Sequence, residues 1–216
     1  MKMIDPTFEI LDCPDGLTLL QKIERAGRVC YKSEANITPD SAIDFVRRVL
    51  KSGHESVLEH EKISVRVICD RGVSHEIVRH RIASYSQEST RYCNYSRDKF
   101  QNELTFIRPF FWNDDPEKFQ IWQDAMAVAE RSYLTLIEKG ALPQEARGVL
   151  PNSLKTEIVV TMNIREWRHF FKLRSAAAAH PQMQEIAGAM LKAFQSHFPV
   201  VFEDINHEAR ASGNAG

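Results

Sequence analysis
The segment from Glu61 to Asp70 alternates with period two: Ile63, Val65, Val67 and Cys69 fall on one side, Ser64, Arg66 and Ile68 on the other. Successive strand side chains point to opposite faces. The pattern therefore predicts a half-buried strand, the kind found in antiparallel sheets with one wet face. Thr156 to Met162, rich in β-branched residues, reads as a second strand. Residues 8–12 and 103–108 are shorter candidates, the first closed by the turn cluster Cys13-Pro14-Asp15-Gly16.

Helical periodicity occupies much of the rest. Leu17, Leu20, Ile23 and Gly27 share a face in a helix over 17–30. Thr38 reads as an N-cap with Pro39 at the first helical position, opening a helix to about Lys51 that Gly53 stops. Arg71-Gly72 marks a turn, and a short helix follows through Val73, Ile77 and Val78. Pro116 opens a long helix ended by Gly140, residues 141–150 form a short one closed by Pro151, and further helices cover 164–175 and 182–197. The tail from Ala211 to Gly216 is expected to fray. The expected architecture is α+β: a modest, mainly antiparallel sheet with several packed helices, in a single domain over residues 1–216.

Of the 216 residues, 43% are hydrophobic and 26% charged, which leaves room for a core. The formal net charge of −1 argues against a general nucleic-acid binder, which is more often basic. Cys13, Cys30, Cys69 and Cys93 are scattered, without a C-x-x-C pair, so neither a disulfide framework nor a zinc site is expected. No apolar run suits a signal peptide or membrane span. The expected setting is reduced and cytoplasmic, with no membrane partner.

The densest chemistry lies in Arg79-His80-Arg81, seven residues, Ser89, one residue, Arg91. No glycine-rich phosphate loop is present, so a phosphorylated ligand must be held by side chains. Guanidinium groups match phosphate oxygens two at a time. If Gly72 to Arg81 is helical, Glu76, Arg79 and His80 share a side while Arg81 projects elsewhere. If Gln87 to Arg91 is extended, Gln87, Ser89 and Arg91 point together. A second group is Asn163, Arg165, His169 and Arg174: Arg165 and His169 share a helical face, and Arg174 lies about half a turn round, as on a helix separating two ligands, although periodicity alone fits a helix with merely solvated arginines at least as well. A third, His54 to His60, has histidines six apart rather than the four a zinc-binding helix needs, so a loop or ligand-contact role is favoured and no metal is expected. Ser89 has no attached base in the sequence, and a lone Cys93 is more often structural. Chemistry supplied by a cofactor fits better.

Arg79-His80-Arg81 with Ser89 resembles the signature of the flavin-dependent thymidylate synthases. His54 with Ser56, Arg147 in Ala146-Arg147-Gly148, Asn163 with Arg165, and Arg174 follow in the expected order, so the resemblance runs from about residue 15 to 205. It implies a homotetramer with active sites between subunits, using FAD, dUMP, methylenetetrahydrofolate and NADPH. By position, Ser56, Arg79, His80, Arg81, Gln87, Asn163, Arg165 and His169 would contact FAD. Glu76, Arg79, Gln87, Glu88, Ser89, Thr90, Arg91, Arg147 and Arg174 would surround dUMP. Glu76, Ser86, Gln87 and His169 depart from the residues frequent in the family. In the implied reaction NADPH reduces FAD, the folate donates a one-carbon unit to carbon 5 of uracil, and the reduced flavin donates hydride, giving dTMP. The expected catalytic residues are Arg174, stabilising negative charge on the pyrimidine, and Ser89, as a hydrogen-bonding group. The alternatives are a nucleic-acid-binding module using the arginine cluster, or a nucleotide- or flavin-binding protein without synthase activity.

Overall fold
The alternation in residues 62–70 becomes β3 (Lys62–Asp70), with Ile63, Val65, Val67 and Cys69 at most 1% exposed. β6 (Lys155–Asn163) buries every second residue in the same way, including Ile158, Val160 and Met162. The two strands run antiparallel. Ile164 N–H donates to the Glu61 carbonyl at 2.9 Å and Arg71 N–H to the Leu154 carbonyl at 3.1 Å, at opposite ends of the pair. Between these ends, the Ser64 and Thr161 hydroxyls meet at 2.8 Å in the same register. With β2 (Thr7–Ile10) and β4 (Ala83–Gln87) they form a four-stranded sheet in the order β2-β3-β6-β4. β1 (Lys2–Ile4), which periodicity does not reveal, pairs in parallel with β5 (Thr105–Ile107). A three-residue strand has too few side chains to show a pattern.

These observations come from a computed structural model that describes residues 1–11, 14–96 and 102–206. Cys13 of the expected turn and the tail from Ala211 lie outside the described residues. Helices α1 (Gly16–Val29), α4 (Pro116–Glu138), α6 (Ile164–Arg174) and α7 (Pro181–His197) follow the sequence reading closely. α2 (Ser41–Lys51) begins later than Thr38-Pro39 suggests. Thr38 N–H donates to Ser41 Oγ at 2.9 Å, so residues 38–41 form a turn ahead of the helix. Gly53 follows it with φ +69°, a conformation glycine adopts without strain. Arg71-Gly72 is not a turn: Asp70 Oδ1 accepts from Val73 N–H at 2.7 Å and caps α3 (Arg71–Ile77) directly off β3. The helix expected over 141–150 is α5 (Pro143–Ala146) and a 3-10 turn at Arg147–Val149. A final short helix, α8 (Pro199–Phe202), follows α7. The His54–His60 segment is a 3-10 turn over Glu55–His60 rather than an open loop.

The described chain separates into two compact units, with β3 and β6 passing through both. The first comprises Met1–Phe8, Arg66–Arg79 and Tyr85–Val159. Its core gathers Phe106, Trp122, Met126, Tyr133 and Leu154. The second comprises Glu9–Val65, His80–Ser84 and the chain from Val160 onward. Its core is aromatic: Trp167 stacks on Phe171 at 5.6 Å, and Phe194 meets Phe171 edge-on at 5.0 Å. The buried Trp167 indole N–H donates to the Ile63 carbonyl at 2.9 Å. Among the described residues no helix is long and apolar enough to cross a membrane.

Candidate active site
The helix expected through Arg81 stops at Ile77. Arg79 N–H closes a last turn on the Glu76 carbonyl at 3.2 Å, and β4 begins at Ala83. Arg79-His80-Arg81 is thus the junction between a helix and a strand, and the shared face expected for Glu76, Arg79 and His80 does not form. Instead the junction splits the motif: His80 is 4% exposed, whereas Arg79 and Arg81 face solvent.

His80 is fixed at both ring nitrogens. Its Nδ1 lies 2.9 Å from Glu166 Oε1, and Arg174 Nε donates to its Nε2 at 3.1 Å. A guanidinium only donates, so Nε2 must be the acceptor and the proton sits on Nδ1, facing the carboxylate. Burial pushes the imidazole below the ordinary histidine value; Glu166 pulls it back, and Arg174 and His169 add to the depression. The ring is therefore neutral at pH 7. His80, Glu166 and His169 lie close enough to resemble a metal-ligand group, yet both His80 nitrogens are already committed, one of them to a cation.

Glu166, Phe170 and Arg174 stand at i, i+4 and i+8 on α6. His80 lies along this stripe, its ring 5.0 Å from Phe170. The four-residue spacing of Glu166, Phe170 and Arg174 is the signal of this stripe in the sequence. Arg165 and His169 line one cleft of about 440 Å³, with Asn163, Glu166, Lys172 and Ile82 among its other walls. Asn163 Oδ1 caps α6 by accepting from Glu166 N–H at 2.8 Å, leaving its amide N–H groups for a ligand. Arg165 pairs with Glu59 at 2.6 Å, both well exposed. Ser56 lines a second groove of about 380 Å³ with His54, Tyr31 and Arg165.

No motif or spacing in the sequence marks Arg168, whose side chain is 2% exposed. It donates to both Asp204 carboxylate oxygens at 2.7 Å, to Glu55 at 3.4 Å and to the Val201 carbonyl. Those bonds hold Asp204 below the usual carboxylate range and make Arg168 an anchor for the chain after α8.

In the other unit the strand ends at Gln87, so the extended run to Arg91 does not exist. The Ser89 carbonyl accepts from Tyr92 and Cys93 N–H, and Ser89 Oγ accepts from Arg91 N–H at 3.3 Å, which turns the chain. Among the described residues, no histidine or carboxylate bonds to Ser89 Oγ. Thr90 is buried in this turn. Gln87 donates its amide N–H groups to Ser74 Oγ at 2.9 Å and Thr156 Oγ1 at 3.2 Å, so its carbonyl oxygen is the group left for a ligand. Glu88 accepts from the Tyr95 hydroxyl at 2.8 Å and pairs with Lys155 at 3.0 Å. Lys155, not singled out from sequence, lines a groove of about 390 Å³ with Gln87, Glu88 and Cys93. Among the described residues the exposed guanidinium groups of Arg79, Arg91 and Arg147, and of Arg81 in the other unit, take part in no ion pair. Ser56, His80, Arg81, Asn163, Arg165, His169 and Arg174 fall in the second unit; Glu76, Arg79, Gln87 to Arg91 and Arg147 fall in the first.

A family model described as "Thymidylate synthase complementing protein" matches residues 18–200. The flavin-dependent thymidylate synthase of Pyrococcus furiosus is 40% identical over 179 residues, covering 82% of this chain and 72% of the relative. That of Geobacter sulfurreducens is 34% identical over 186 residues, covering 83% and 78%. The fold is similar to that of a UMP/dUMP methylase, PolB from Streptomyces cacaoi, solved with 5-Br dUMP. The TM-score is 0.77 at 24% identity, over 94% of this chain and 96% of that one.

Proposed function
The chain belongs to the flavin-dependent thymidylate synthase family, and on that premise we propose that it converts dUMP to dTMP, with methylenetetrahydrofolate as one-carbon donor and NADPH as reductant. The observation that carries this reading is the set of exposed guanidinium groups at Arg79, Arg81, Arg91 and Arg147, which lack acidic partners among the described residues. In a chain with 28 basic and 29 acidic side chains, cations kept without counter-ions suit anionic ligands.

Arg79, Arg91 and Arg147 hold the dUMP phosphate and ring oxygens. The Gln87 carbonyl accepts from the uracil N–H, since its own amide donors are spent within the protein. Glu88 enters this scheme through Lys155 and Tyr95. Ser89 shapes the turn and donates its hydroxyl proton to the ligand; it does not attack. Arg174 stabilises the negative charge that builds on the pyrimidine as carbon 5 becomes nucleophilic. A guanidinium cannot readily release its proton, so this role is electrostatic.

The residues present fit a flavin dinucleotide: Asn163, Arg165 and His169 offer donors around one cleft, and Ser56, Arg81 and neutral His80 share their unit. Arg79 and Gln87, expected in the same set, belong to the other unit. Bound FAD supplies hydride chemistry that no side chain can provide. We assign the chain a single catalytic domain, a homotetramer with active sites between subunits, and a cytoplasmic setting.

The deciding assay is dUMP-dependent NADPH oxidation in the presence of methylenetetrahydrofolate, with dTMP measured as product. Protein that cannot be loaded with FAD, or that forms no dTMP when loaded, ends this reading. Arg174→Ala is expected to lower turnover by about 100-fold or more, as loss of a charge-stabilising group does, with FAD still bound. Near-normal dTMP formation would remove Arg174 from the chemistry.

A further inference from the structure
We infer that Glu166 is a positioning residue that aims Arg174 through His80. The inference rests on the role just given to Arg174. It starts from three side chains on one stripe of α6: Glu166, Phe170 and Arg174. From Glu166 to Arg174 the helix rises roughly 12 Å. His80, from a different part of the chain, bridges that interval with one nitrogen on each end group.

Glu166 occupies the third position of α6, where a glutamate can turn back to cap the helix. Here the cap is supplied by Asn163, and the Glu166 carboxylate reaches His80 instead. The carboxylate can only accept from His80 Nδ1–H. That fixes the tautomer, so Nε2 carries a lone pair aimed at Arg174 Nε. Without the acceptor, the ring can place its proton on Nε2, which then confronts Arg174 Nε–H donor to donor. The guanidinium then loses its hydrogen bond to His80 Nε2. Phe170 packs against the ring and limits its rotation. Side chains locked this way hold a charge where it is needed without reorganisation during reaction.

The test uses the full chain loaded with FAD, in Glu166→Leu and Glu166→Gln forms. The His80 ring is read by solid-state NMR of 15N-histidine-labelled protein and assigned by its loss in His80→Phe. Wild type and Glu166→Gln should show Nδ1 protonated, because the glutamine oxygen still accepts. Glu166→Leu should show a mixture of tautomers. Its kcat should fall by about tenfold, or about 1.4 kcal/mol. Its KM for dUMP should stay within about threefold, the pattern of an interaction realised in the transition state. Glu166→Gln should restore kcat.

A single unchanged tautomer in Glu166→Leu overturns the inference, as does a rise in KM with kcat intact, or a Gln variant as impaired as Leu. If leucine prevents folding, Glu166→Asp, with its carboxylate drawn back by one methylene, is held to the same three criteria. Wild-type protein that makes no dTMP refutes the proposed function, while the tautomer measurement still decides the Glu166–His80 link.

Discussion
A single buried imidazole shows how much one protonation state can organise. Neutral His80 accepts from Arg174 and donates to Glu166; protonated, it would lose the acceptor and bring two cations together. Its folded pKa lies below the ordinary value of 6.5, chiefly through burial. The sign follows from linkage. Above pH 6.5 neither state binds the proton and this contribution to stability is complete. As the pH falls below 6.5 the unfolded chain takes up a proton that the folded chain resists, so stability is lost down to the depressed pKa. Urea midpoints for wild type and His80→Phe, compared at pH 7.5 and 5.5, should diverge, the wild type losing more on acidification. Equal losses would show that the ring is protonated as readily in the folded state.

Arg168 presents the opposite case, a permanent charge with almost no exposure. Arg168→Met keeps the apolar packing but abandons Asp204, Glu55 and the Val201 carbonyl. Breaking a buried pair costs several kcal/mol; Asp204 is half exposed and can rehydrate, so we expect about 3 kcal/mol, the low end of that range. Chemical denaturation measures it. A loss under about 1 kcal/mol would mean that Arg168 does not anchor the chain after α8.

At the level of elements, the α1–α2 pair turns on Gly27. A Cβ there would meet the Phe45 ring at 2.6 Å, and the same ring carries the Arg28 guanidinium at 4.7 Å. In an open helix Gly→Ala gains about 1 kcal/mol. Here the intrusion into a packed contact costs about 1–3 kcal/mol, so the sign should reverse. Gly27→Ala should unfold at lower urea than wild type, and adding Phe45→Leu should recover part of the loss. A stabilised single variant would contradict the packing. The same elements show where periodicity reads well. β3 and α1 advertise themselves because one face is buried along their whole length. β1 is too short to do so, and the start of α2 was hidden because Thr38 and Pro39 favour a turn as readily as a helix start.

For the whole molecule, the expected FAD and dUMP residues come from segments as far apart in sequence as Ser56 and Arg174, divided between two compact units. Assembly into a homotetramer predicts a light-scattering mass near four times the 24.8 kDa of the chain, unchanged on dilution to working concentrations. A monomer that is fully active would refute active sites built between subunits.

The chemical inventory of the candidate site was legible in the chain itself, as the arginines, Ser89 and their spacing that carry the proposal of a phosphorylated ligand, and the alternation of β3 points to a half-buried sheet. Both are local properties, set by side-chain chemistry and by backbone geometry that repeats every two or four residues. Only tertiary structure decided which members of the Arg79-His80-Arg81 motif are buried, which carboxylate neutral His80 faces, and that Gln87 has spent its donors. Glu166 and His80 stand 86 residues apart, and that contact depends on how α6 packs after α3 ends at Ile77, which no local period encodes.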